Sequence, residues 1–194
     1  SLSQLKNLDK KIASIVKADL KKITSKRKSF CKINFNQPQI IGVLNITPDS
    51  FSDGGLFFDE VNAYKKANEM IVSGAKIIDV GGESTRPGSK VVNENDEWMR
   101  IKKTILKLKK TFPKIPLSLD TRKSYVMKKG IESGVNIIND ISGLNFDKNS
   151  FEIIKSKKIP FILHHMQGTP ETMQANPKYH DVLLDIYDFF ERKI

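Results

Sequence analysis

Apolar positions along this chain follow two patterns. In residues 5–23, Leu5, Leu8, Ile12, Ile15, Val16, Leu20 and Ile23 recur every three or four positions, which predicts an amphipathic helix. Residues 25–29 form a polar, basic break. From Ile40 onward, short apolar runs alternate with longer helical stretches. Runs at 40–44, 77–80, 117–119, 135–138 and 159–163 predict strands. Between them, helices are predicted near 59–73, over the stripe Trp98, Ile101, Ile105 and Leu108, near 123–132 and near 151–155. Val61, Tyr64, Ala67 and Ile71 should mark the buried face of the first of these. A last helix should begin near Asp181 and bury Val182, Ile186 and Phe189.

That is five βα units in about 155 residues. The strands are apolar throughout, as strands covered on both faces must be. A doubly wound sheet and a closed eight-unit barrel both accept such repeats. Polar residues cluster directly after the strands, at Asn45, 79–86, 120–122, Asn139-Asp140 and 164–167. In a barrel those positions converge on one mouth. No Gly-rich dinucleotide fingerprint follows the first strand. The expected fold class is therefore α/β, a (β/α)8 TIM barrel. Residues 39–194 would hold about its first five units, since a complete barrel takes roughly 250 residues. Residues 1–38 would form a basic helical arm.

Charge sharpens that division. The net charge is +11. Residues 1–38 carry ten basic side chains against Asp9 and Asp19, a net +8, so the barrel region is close to balanced. Only five of the basic residues are Arg, and a Lys-rich surface is more often a solvated face than a base-reading one, so no nucleic-acid partner is expected. No apolar run approaches the roughly 18 residues of a membrane span, and the first 20 residues lack the apolar block of a secretory signal. A single cysteine, Cys31, excludes an internal disulfide and fits a cytoplasmic location.

Two loops carry the chemistry. The first, 45–55, reads Asn-Ile-Thr-Pro-Asp-Ser-Phe-Ser-Asp-Gly-Gly, and its length and position after a strand favour function over an ordinary turn. The second, 79–88, reads Asp-Val-Gly-Gly-Glu-Ser-Thr-Arg-Pro-Gly, with glycines for close backbone approach and Arg86 as a fork for a carboxylate or phosphate. These two segments resemble the first two signatures of the dihydropteroate synthases. Leu119-Asp120-Thr121, the run 137–143 and His165-Met166-Gln167-Gly168 are similar to the next three strand-end motifs, in order. The resemblance covers residues 39 to about 190.

The resemblance implies a barrel enzyme that joins 6-hydroxymethyl-7,8-dihydropterin diphosphate to p-aminobenzoate, giving dihydropteroate and diphosphate. Asn45 would ligate Mg²⁺ and the diphosphate. Asp120 and Asn139 would hydrogen-bond the pterin, and Met166 would pack against it. Thr85 and Arg86, with Phe51 and Asp53, would close over the site and frame the p-aminobenzoate pocket. A homodimer is expected of the full-length protein.

Other residues have plainer readings. Asp140 reads as a cap or a supporting group, and Asp79 as a strand end or an orienting group. His164 and His165 read as stacked or hydrogen-bonded structural histidines, without metal-pair spacing. The family's motifs at the sixth, seventh and eighth strand ends are not among these 194 residues, so the chain is expected to be an excerpt that is inactive alone. Two other readings compete. A pterin-barrel methyltransferase would share the Asp and Asn contacts but lacks the long first loop. A non-catalytic pterin-binding homologue would differ in the later motifs.

Overall fold

In the computed structural model, five parallel strands lie side by side in the order of the sequence. They are β1 (Ile41–Asn45), β2 (Ile77–Gly81), β3 (Leu117–Asp120), β4 (Ile137–Asp140) and β5 (Phe161–Leu163). Helices α2 (Gly55–Val72), α3 (Glu94–Thr111), α4 (Ser124–Glu132) and α5 (Ser150–Lys157) make the crossovers, and α6 (Val182–Lys193) follows β5. The structure describes residues 9–26, 29–47, 55–84 and 91–194, with backbone alone for 55–59. Strand order never reverses, which is the wall of a barrel and not a doubly wound sheet.

The chain divides into two compact units, Ser1–Gln39 and Ile40–Ile194. In the first, α1 (Lys10–Thr24) is capped by Asp9, whose carboxylate accepts the N–H groups of Lys11 and Ile12. None of its residues is buried, and Ile12, Ile15 and Ile23 are exposed. Among the described residues no helix is long and apolar enough to cross a membrane.

In the second unit, alternate strand residues face the helices. Leu44, Val80, Leu119 and Ile138 are fully buried against Ala63, Ala67, Ile101, Ile105, Val126 and Met127. Helix α3 shows why its sequence folds where it does. Asn93 caps it through the Asn95 N–H, Glu94, Asp96 and Glu97 sit at its positive end, and Lys109 and Lys110 at its negative end. Its expected stripe, Trp98, Ile101, Ile105 and Leu108, is buried.

Some expectations are corrected. Val61 is exposed, and Ala63 joins Ala67 on the buried face of α2 instead. Val182 is also exposed, because it sits in the first turn of α6, away from half-buried Ile186 and Phe189. β4 and β5 each begin two residues later than the apolar runs suggest. Val135 donates its N–H to Gly130 O and Ile159 to Ile154 O, so both residues close the preceding helix before the strand begins. The two edges of the sheet are not covered on both faces, for Ile41, Val43 and Phe161 are exposed.

Candidate functional site at the strand ends

The face turned away from the helices carries the polar residues. Parallel pairing sets Asn45 beside Gly81, Gly81 beside Asp120 and Asp120 beside Asn139, so one row crosses four strand ends. Gly81 leaves a gap in that row. A Cβ there would stand 3.0 Å from Asn45 Oδ1 and 3.5 Å from Asp120 Oδ2. Without it, an amide oxygen and a carboxylate face one another across open space.

Asp120 is the unusual acid of the row. Burial pushes its carboxyl up to about 8, and the charges of Asp79, Glu97, Asp140 and Glu83 push in the same direction. The row below places Asp79 beside Ser118. Asp79 Oδ1 and Ser118 Oγ, both buried, find no hydrogen-bond partner among the described residues.

Asn139 is held at both ends. Its Nδ2 donates to Asp79 Oδ2 at 2.9 Å, and its Oδ1 lies 2.7 Å from His164 Nε2. Asp79 is thus an orienting group, and His164 a hydrogen-bonded one. His165 instead packs edge-on against Phe189, with Tyr179 beside it. Asp140 is a turn-former: Oδ1 accepts the N–H and hydroxyl of Ser142, and Oδ2 accepts the Leu144 N–H. Met166 is half-buried just beyond β5.

The turn at Asp140 brings Gly143 against the strand end that carries His164. Gly143 has φ +61°, and a Cβ there would meet His164 O at 2.6 Å and the Phe189 ring at 2.9 Å. Gly143→Ala should therefore combine a left-handed strain with a clash against backbone, at a cost of about 1–3 kcal/mol. Urea unfolding of the variant is the check, and an unchanged midpoint would refute it.

Glu83, in the described part of the second loop, belongs to a buried ionic cluster. Glu83 Oε2 accepts from Arg122 Nε at 3.1 Å and from Lys123 Nζ at 2.9 Å, and Lys123 also pairs with Glu97. Glu83 Oε1 accepts the Val92 N–H, and the Arg122 guanidinium stacks on Phe146 at 4.1 Å. Burial opposes charge on Glu83, but Val92, Lys123 and Arg122 outweigh it and hold its carboxyl below the ordinary range. Burial dominates at Glu97 and raises its carboxyl. The sequence reading missed this cluster, since nothing in the spacing of Glu83, Glu97, Arg122 and Lys123 signals that they meet. It left Asp79 open, although Asp79 and Gly81 share a strand face by the period of two.

Of the expected site residues, the structure brings together Asn45, Asp120 and Asn139, with Met166 just past the neighbouring strand end. Phe51, Asp53, Thr85 and Arg86 lie outside the described residues.

This arrangement has close counterparts. The pterin binding enzyme family matches residues 41–194. The dihydropteroate synthase of Escherichia coli K12 is 41% identical over 162 residues, which cover 84% of this chain and 57% of that protein. A Yersinia pestis dihydropteroate synthase, solved with a sulfonamide drug complex, superposes with a TM-score of 0.76 at 40% identity, over 83% of this chain and 58% of that one. A Clostridium difficile dihydropteroate synthase, solved in the presence of pteroic acid, gives 0.75 at 39% identity, over 81% and 57%. This chain thus spans somewhat over half the length of those relatives, as five consecutive units of their barrel. On the family match, the shared strand order and this level of identity, the chain belongs to the pterin-binding enzymes.

Proposed function

We propose that this chain provides the pterin-holding part of a dihydropteroate synthase, a transferase that joins 6-hydroxymethyl-7,8-dihydropterin diphosphate to p-aminobenzoate in folate synthesis. The row Asn45–Gly81–Asp120–Asn139 carries the proposal. A pterin presents a dense edge of donors and acceptors. A carboxylate and an amide on adjacent strands can satisfy that edge, and Asp120 and Asn139 are such a pair. Met166 would pack on the ring. Thr85, Arg86, Phe51 and Asp53 would close over it and frame the p-aminobenzoate pocket. Pteroic acid, present with the Clostridium difficile protein, is a pterin joined to 4-aminobenzoate, which suits this substrate pair.

Mg²⁺ suits the donor set. Among the described residues no group of three His, Cys, Asp or Glu could hold a metal ion. Asn45 offers one hard oxygen at the end of the row, which fits an ion whose other ligands are phosphate oxygens and water. Bound with the diphosphate, such an ion would neutralise charge on the leaving group. The residues of this chain would do the rest: hold the ring, orient its methylene and keep water out. A cytoplasmic location and a homodimer complete the proposal.

The test uses the protein expressed from its complete reading frame, assayed for dihydropteroate formation. Activity that depends on both substrates is expected, and its absence would sink the proposal. Asn45→Ala should weaken Mg²⁺-dependent binding of the pterin diphosphate by about tenfold or more, the value of one charge-assisted contact, and leave free pterin nearly untouched. Equal losses for both ligands would move Asn45 from the metal to the ring.

A further inference from the structure

We infer that His164 is a positioning residue, which together with Asp79 locks the side-chain amide of Asn139 in one of its two orientations and so presets the edge it shows to the ligand. The inference rests on the pterin-binding reading above. An asparagine amide has a donor end and an acceptor end of nearly equal shape, so its orientation is decided by its neighbours. Here one neighbour sets the orientation and the other can match it. Asp79 approaches Asn139 Nδ2 at 2.9 Å, and an aspartate carboxylate accepts. That leaves Oδ1 toward His164, whose Nε2 stands at 2.7 Å and must then carry the proton. Turning the amide over would set oxygen against oxygen at Asp79 and would require an unprotonated Nε2 at His164.

The fold gives both partners fixed positions. Asp79 lies two residues before Gly81 on the inward face of β2 and is almost fully buried. His164 follows β5 directly, two residues after Ile162, which pairs with Asn139. Its carbonyl is the group against which the left-handed turn at Gly143 rests. The locked Asn139 keeps one Nδ2 hydrogen and one Oδ1 lone pair for a ligand. Both sit one strand from Asp120, since these two residues are register partners. The ligand therefore meets a carboxylate, a donor and an acceptor in a set order, and the free protein has no alternative arrangement to lose on binding.

The experiment has a spectroscopic arm and a binding arm, both on the protein from its complete reading frame. With ¹⁵N-labelled histidine, His164 should show a protonated Nε2 and an unprotonated Nδ1 at a pH where the ring is neutral. The opposite tautomer would overturn the inference, because it leaves Asn139 Oδ1 without its donor. For binding, His164→Leu should weaken pterin diphosphate by about tenfold, the effect of losing one hydrogen bond that fixes a ligand contact, and leave the p-aminobenzoate KM within twofold. His164→Gln, which restores an N–H donor, should recover most of that loss. Equal weakening in the Leu and Gln variants would make His164 a packing residue and overturn the proposal. Should His164→Leu fail to fold, the tautomer and the Gln variant still decide the matter. Asn139→Ala separates the two readings. If it loses pterin while His164→Leu keeps it, the positioning role alone is overturned. If Asn139→Ala binds like the parent, the ring contact and the positioning role fall together.

Discussion

Asp120→Asn should make the ligand-free protein more stable above neutral pH while costing it the pterin. Asp120 sits in a row of polar groups with its carboxyl pushed up to about 8 by burial and by four neighbouring acids, against an ordinary value of 3.8. A folded-state value above the unfolded one means the folded chain holds a proton that the unfolded chain has released. The stability this contributes is complete below about pH 4 and is lost as the pH rises through about 8. Asparagine resembles the protonated carboxyl in shape and never ionises. Its advantage over Asp120 should therefore grow across that window. Glu97 and Asp140 also have raised values from burial, so the parent's decline is shared among three groups. The difference between parent and variant reads Asp120 together with its coupling to those two acids. Urea unfolding at several pH values between about 5 and 9 is the measurement, and parallel stability curves would sink the argument. Binding should move the opposite way. A carboxylate that accepts two pterin donors has to be ionised, so pterin should release a proton when it binds near neutrality, and its affinity should rise with pH up to about 8. Loss of the proposed charge-assisted pterin contact in Asp120→Asn predicts a weakening of about a hundredfold. Titration calorimetry in buffers of different ionisation heat would read both the affinity and the proton.

Lys123→Ala should produce the largest loss of stability of any single change in the buried ionic cluster. Lys123 is 5% exposed and pairs with Glu83 and with Glu97, which has no exposure at all. Removing the ammonium leaves Glu97 buried without its cation, beside the like charge of Glu83. Breaking a buried pair in this way typically costs about 3–5 kcal/mol. Removing both partners for well-packed apolar residues is far milder, so Lys123→Met with Glu97→Leu should recover most of the loss. A double-mutant cycle by denaturant unfolding tests this. A Lys123→Ala cost under about 1 kcal/mol would place the pair among ordinary surface bridges. The cluster also ties Glu83, within the second loop, to the Val92 N–H that follows the loop. The Lys123 variants should therefore raise the p-aminobenzoate KM more than they change pterin affinity.

The parts of this fold that local pattern controls were legible in the sequence. Five mainly apolar runs became five strands because the residues that face the helices must be apolar, and the stripe from Trp98 to Leu108 became the inner face of α3. Positions where a helix ends just before a strand were not legible. Val135 and Ile159 are apolar enough for a ladder, yet their N–H groups turn back to close a helix. At the site, Asn45, Asp120 and Asn139 could be named from motif and strand end, but their common level depends on register, which no single segment encodes. The Glu83–Arg122–Lys123–Glu97 cluster was invisible for a similar reason. Its members come from a loop, a strand end and a helix, and each alone looks like a solvated charge.

The register that aligns Asn45, Gly81, Asp120 and Asn139 also acts as a ruler. Neighbouring strands are spaced by backbone hydrogen bonds at about 4.8 Å, so Asp120 and Asn139 stand one division apart, and Asn45 and Asp120 two divisions, roughly 10 Å. The strands that carry the proposed ring end and the proposed diphosphate end of the site are thus set apart by the backbone, and the side chains of Asn45 and Asp120 reach toward each other over Gly81 between them. Substitutions along the row can change what is gripped at each mark, but the distance between marks stays fixed. A slip of one residue in a strand would take its residue out of the row, and that slip would turn every buried Leu, Val and Ile of that strand toward the wrong face. The cost of repacking the core therefore protects the alignment of the row across its strands.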